Sequence, residues 1–89
     1  MVYIEAVHMS GGTGHQHISH VRWRNPSTGE SQSCTREVMI DWIQNKNGVA
    51  KVTDGRSTVQ VMVVHSYPPY LRTHRDGTPT DNLLYLPKY

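Results

Sequence analysis

"HISHVRWRNPSTGESQSCTREVMIDWIQN", residues His17 to Asn45, changes its apolar period part-way along, and that change decides the fold. If extended, its first part places His17, Ser19, Val21 and Trp23 on one face and Ile18, His20, Arg22 and Arg24 on the other. Val21 and Trp23 are expected to turn inward and the two arginines outward. "NPSTGE" is turn chemistry: Pro26 presets its backbone angle, and Gly29 can take the positive angle that ends a turn. A short returning strand is expected around Ser31 to Cys34. From Thr35 the period becomes helical. Thr35 can cap, Glu37 sits in the first turn where the helix dipole favours an acid, and Val38, Met39, Trp42 and Ile43 recur on one side. Gly48 is the expected C-terminal cap.

Outward from this stretch the chain reads as strands. "VYIEAVH" puts Val2, Ile4 and Ala6 on one side and Tyr3, Glu5 and Val7 on the other. "MSGGTGHQ" breaks the run and is expected to be a flexible connection. Beyond the helix, Asp54-Gly55 lies between "VAKVT" and "STVQVMVVH", a strong hairpin signal, and Asp76-Gly77 after "YLRTHR" is a second. Leu83, Leu84 and Leu86 are expected to pack on the sheet as a short strand or an irregular closing segment. Asp81-Asn82 before them reads as an Asx turn. The sum is an α+β domain over residues 1–89: an antiparallel sheet of four to six strands with one amphipathic helix packed on one face, in an order near ββ(β)αβββ. One helix covers one face, so the other is solvated, bound to a ligand or buried against another subunit.

Composition sets bounds on this reading. At 89 residues there is room for one core, and such a domain buries only about 60 to 65% of the surface of its unfolded chain. With 36% hydrophobic and 18% charged residues the chain lies outside the disordered regime. Phenylalanine is absent, so Trp23, Trp42, tyrosines, methionines and valines supply the bulk of the core. Cys34 is the single cysteine, which excludes an internal disulfide and a multi-cysteine zinc site and fits a reducing, cytoplasmic setting. No apolar run is long enough to span a bilayer, and "MVYIEAVH" lacks the pattern of a signal peptide. A formal charge of +2 is small for a dedicated duplex-DNA binder.

Three stretches carry a family resemblance: "HISHVRWRNPSTGES", "CTREVMIDWIQN" with Cys34 standing in place of a serine or similar small residue, and "DGTPTDNLLYLP". Together, Arg22-Trp23, Thr35 to Glu37, Trp42 and Asp81 to Pro87 resemble the small family known as domain of unknown function 3892, found in bacteria and their phages. The resemblance runs from Ile4 to Pro87. It implies the domain boundaries and, since the family has no established activity, little chemistry.

The residues suggest three chemistries. His8, His15 and His17 have the spacing of a weak metal site, without the cysteines or acids that usually complete one. "SGGTG" offers backbone N–H groups around Gly12, yet it matches neither a Walker A motif nor a dinucleotide fingerprint. The outward row His20, Arg22, Arg24 is echoed by Tyr70, Arg72, His74, a mix that suits phosphates and stacked bases if the two rows converge. Exposed strand positions are also polar by default. Cys34, Glu5, Asp76 and Asp81 show no diagnostic catalytic spacing, and no cofactor is implied.

The leading expectation is therefore a non-catalytic binding module and homo-oligomer. It would capture a small anionic, nucleotide-type ligand through Gly12, His17, His20, Arg22, Arg24, Tyr70, Arg72 and His74. If the chain is phage-encoded, sequestering a host nucleotide signal is a concrete role. A nucleic-acid or protein interaction module using the same face is the alternative, and a metal- or cysteine-dependent enzyme a further one.

Overall fold

The structure is a computed structural model. It describes residues 1–53, 55–75, 78–80 and 82–89, and their side chains except those of His74, Arg75, Thr78, Pro79, Thr80 and Asn82. The turn residues Asp54, Asp76, Gly77 and Asp81, and the side chain of Asn82, lie outside this description.

The chain is α+β and mostly sheet. Its strands are β1 (Val2–Met9), β2 (Ile18–Arg24), β3 (Ser31–Thr35), β4 (Ala50–Thr53), β5 (Thr58–Val64), β6 (Tyr70–Arg75) and β7 (Thr78–Thr80). Helix α1 (Arg36–Asn45) follows β3, and a single turn, α2 (Asn82–Tyr85), follows β7. Six strands have four to eight residues and β7 adds three, all in one sheet of order β3-β2-β1-β4-β5-β6-β7.

The sheet is mixed rather than antiparallel, because Val2 and Tyr3 of β1 run parallel to Ala50 and Lys51 of β4. The crossover explains this. Two antiparallel pairings leave β3 parallel to β1, and α1 then returns the chain to the end from which β3 started, so the next strand runs the same way. The pairings of β4 with β5 and β6 with β7 form the two expected hairpins.

Two register breaks re-phase the first hairpin. Ile4 pairs with Trp23 but Ala6 pairs with Arg22, so Glu5 is an extra residue on β1. Val2, Ile4 and Val7 consequently share the core, and Ala6 joins the outer face, in place of the simple alternation Val2, Ile4, Ala6. On β2, His20 pairs with His8 but Ile18 with Met9, leaving Ser19 extra. Ile18, expected beside the outward arginines, is therefore fully buried, while Val21 and Trp23 turn inward as the alternation requires.

These residues join Ala50, Val52, Val61 and Leu71 in the core, closed by Met39 and Ile40 of α1 and Leu83 of α2. The closing leucine lies on a helical turn, where a strand or irregular segment was expected. On α1 the buried residues are Met39 and Ile40, and Val38 is left 57% exposed. Thr35 caps the helix by accepting from Val38 N at 3.2 Å. At the other end the cap residue is Lys46 and the positive φ belongs to Asn47. Gly48 is needed for a different reason: the Trp42 indole lies so close that a Cβ there would fall 2.2 Å from the ring. No helix among the described residues is long and apolar enough to cross a membrane.

Candidate functional site on the outer sheet face

The face away from α1 carries the side chains that alternation and the two bulges turn outward. On β2 these are His20, Arg22 and Arg24, paired with His8, Ala6 and Tyr3 of β1. The end of the chain then folds back along β1: Val7 N donates to Pro87 O at 3.0 Å, and Tyr89 N donates to Val7 O at 3.1 Å. That return places the Tyr89 ring on the β2 row. Arg22 Cζ lies 5.7 Å from its centroid and the His8 ring 5.8 Å. His8 and His20 meet edge to face at 5.6 Å.

Hydrogen bonds orient this group. His8 Nδ1 donates to Tyr89 O. Ser19 Oγ donates to His8 O at 3.2 Å, so its single proton is used and it accepts from His20 Nδ1 at 2.9 Å. The bulge residue thereby ties the His20 imidazole to the His8 carbonyl, and Tyr89 O holds the His8 imidazole. Glu5, the other bulge residue, accepts from Arg24 Nε at 2.9 Å, and Arg24 also stacks over Tyr3 with 5.6 Å to the centroid. Arg24 is thus neutralised locally. Arg22 has no carboxylate partner among the described residues and is exposed, so its planar donors face solvent.

The second row is on the same face but elsewhere. Tyr70, Arg72 and His74 pair with Val64, Met62 and Gln60 of β5. From β2 to β6 there are four strand spacings, about 19 Å along the sheet. The rows therefore share a face without converging on one small ligand. Arg72 Nε is buried with no hydrogen-bond partner among the described residues. The side chain of His74 lies outside the description.

Gly12 and His17 belong to neither row. A Cβ on Gly12 would fall 2.4 Å from the His17 ring, and Ser10 N donates to His17 O at 2.8 Å. The loop between β1 and β2 is thus closed on its own histidine, where a flexible connection with open N–H groups was expected. It ends in a 3₁₀ turn, His15–His17, which touches β6 and whose Gln16 O accepts from Arg36 Nη1 at 2.8 Å. Among the described residues no three His, Cys, Asp or Glu side chains lie close enough to hold a metal, so His8, His15 and His17 are not brought together as a ligand set.

Cys34 faces the opposite side, in a cleft of about 370 Å³ between β3 and α1 lined by Trp23, Val38, Met39 and Trp42. Burial pushes its thiol up, and a hydrogen bond with Trp23 only partly offsets this. A thiol held protonated is a poor nucleophile. At the N-terminus of α1, burial also raises the Glu37 carboxyl, but its own backbone N–H, the Arg36 guanidinium 3.0 Å away and the charge of His20 outweigh that and hold it below the usual carboxylate value.

Sequence reasoning found the β2 row and missed Tyr89, Tyr3 and Glu5. A signal for the bulges exists: the apolar phase moves from Val2 and Ile4 to Val7 and Met9 across Glu5. Nothing local marks Tyr89, since its role depends on where the chain end returns.

Fold and site together define a mostly-sheet α+β domain with a cationic, aromatic patch on its outer face. The chain belongs to the family described as protein of unknown function (DUF3892), whose model matches residues 3–87. No curated protein and no solved structure matches it.

Proposed function

We propose that this protein is a non-catalytic binding module that captures a small anionic, nucleotide-type ligand on the outer face, at the patch of His8, His20, Arg22 and Tyr89. The observation that carries the reading is Arg22. Its guanidinium is held over Tyr89, lacks a neutralising carboxylate among the described residues, and stands beside two imidazoles, that of His20 held by Ser19 and that of His8 by Tyr89 O. A guanidinium fork takes phosphate oxygens, and the tyrosine and imidazole rings offer stacking surface to a base. The absence of diagnostic catalytic spacing and the burial-raised thiol of Cys34 favour binding over catalysis.

A thermal-shift series with mono-, di- and cyclic nucleotides tests this. A ligand at about 100 times its Kd adds about 2.7 kcal/mol, which for a domain this small raises Tm by roughly 10 °C or more. No shift with any nucleotide rejects the reading.

One observation favours a second reading. The β2 and β6 rows lie about 19 Å apart on one face, too far for a mononucleotide and suited to a single-stranded nucleic acid lying across the sheet. Affinity for such a strand would fall with salt, with a log–log slope near −0.7 per phosphate contacted.

A further inference from the structure

The sheet has two edges, and they differ. β7 has three residues with Pro79 in the middle, which offers no N–H for pairing. β3 has five, Ser-Gln-Ser-Cys-Thr, without charge or proline, and its register with β2 is unbroken from His20–Thr35 to Arg24–Ser31. Edges of natural sheets are usually blunted by charge, proline or a bulge, and β3 has none of these.

We infer that the open edge of β3 pairs antiparallel with β3 of a second copy of this chain, about a two-fold axis at Ser33. The phase of the β2–β3 ladder supports that register. Asn25 N donates to Glu30 O at 2.8 Å, so by the alternation of an antiparallel pair Gln32 and Cys34 bond inward to β2. The N–H groups of Ser31, Ser33 and Thr35 then point away from the sheet. A two-fold at Ser33 sets Ser33 against Ser33 of the second copy and Ser31 against its Thr35, so the outward groups meet one another.

Charge selects a second copy over an unrelated strand. The same register sets Glu30 opposite Arg36 of the second copy. Lys46 lines the cleft beside Asn25 and Gln32, near the start of β3, and Glu37 lies at the far end, just after Thr35. Antiparallel pairing brings the start of one edge to the end of the other, so each Lys46 approaches Glu37 of the second copy. Every contact occurs twice, as an isologous interface requires.

Packing points the same way. The axis is perpendicular to the sheet, so both copies of α1 lie side by side on the helical face. Val38, 57% exposed, and the half-buried Trp42 line the cleft beside β3, and the second helix covers them. The interface leaves the outer face open and stands independently of the ligand reading above.

Sedimentation velocity across the micromolar range is expected to show a species of twice the 10.1 kDa chain mass. Ser33→Pro removes an outward N–H while leaving the ladder with β2 intact, and is expected to give the monomer with unchanged far-UV circular dichroism. In a Cys34→Ser background, Ser33→Cys is expected to form a disulfide-linked dimer under oxidised glutathione, since directly paired Cα atoms lie about 5.5 Å apart. Ser31→Cys in that background is expected to remain uncrosslinked. A monomeric wild type overturns the inference, as does a dimer that survives Ser33→Pro. If Ser33→Pro fails to fold, absence of the Ser33→Cys crosslink overturns it.

Discussion

The two basic rows of the outer face have the same pattern and different surroundings. On β2, His20, Arg22 and Arg24 meet side chains brought by other elements: His8 and Tyr3 from β1, Glu5 from a bulge, Tyr89 from the returning chain end. On β6, Tyr70 and Arg72 stand beside Val64 and Met62, with no acid, imidazole or second ring among their register partners on β5. Alternation alone makes a polar row. A row becomes a site through what neighbouring elements place on it, and for β2 both bulges take part.

The largest effect is expected where a bulge feeds the core. Val7→Asp puts a carboxylate at a position that strict alternation from Val2 and Ile4 would turn outward and that the extra residue Glu5 turns inward instead. Val7 is fully buried, and an unpaired charge there costs roughly 3 kcal/mol or more, a large share of the stability of a domain this size. Urea unfolding is expected to show a strongly lowered midpoint or no folded baseline. Arg72→Ala on β6 serves as the contrast. A midpoint for Val7→Asp within about 0.5 kcal/mol of wild type would mean that the bulge does not set the phase of the core.

A smaller effect separates the rows as binding surfaces. Arg22→Ala is expected to weaken the best nucleotide ligand at least about tenfold, the scale of one lost charge-assisted hydrogen bond. Arg72→Ala is expected to change it less than about twofold. Tyr89→Ala, which leaves the charge but removes the ring beneath it, is expected to fall between them, at roughly 0.5 to 1 kcal/mol. Titration calorimetry measures all three. Equal losses from Arg22→Ala and Arg72→Ala would instead favour a polyanion that reaches both rows.

Much of this comparison was legible in the residues. The outward arginines, the Thr35 cap, the Asn25–Gly29 turn and both hairpins follow from local chemistry, and local chemistry is what a sequence displays. Strand order is not local. Whether β2 lies beside β6 depends on where the α1 crossover lands, and it lands beyond β1, which parts the two rows. The bulges fall between these cases. An extra residue leaves no composition signature, but Val7 and Ile18 are apolar at positions that strict alternation turns to solvent, and both are core. Val38 errs the other way, apolar at helical spacing yet exposed, because the turn of α1 that faces the core centres on Met39 and Ile40.

The smallest effect links the β2 row to the start of α1. Glu37 is held below the usual carboxylate value despite the opposing effect of burial, and the charge of His20 contributes beside its own backbone N–H and Arg36. A carboxyl depressed in the folded state adds stability that is fully present above its unfolded value of about 4.3 and is lost as pH falls through the lower folded value. Stability measured by urea unfolding is therefore expected to decline between about pH 5 and pH 3. Glu37→Gln is expected to flatten part of that decline. Because the carboxylate is largely exposed, the flattening is small, and the informative measurement is the coupling: His20→Ala should shrink the Glu37→Gln effect, whereas Tyr70→Ala should leave it unchanged. An identical Glu37→Gln effect in wild type and His20→Ala would detach the β2 row from the helix and leave Arg36 and the backbone N–H as the groups that hold the carboxylate.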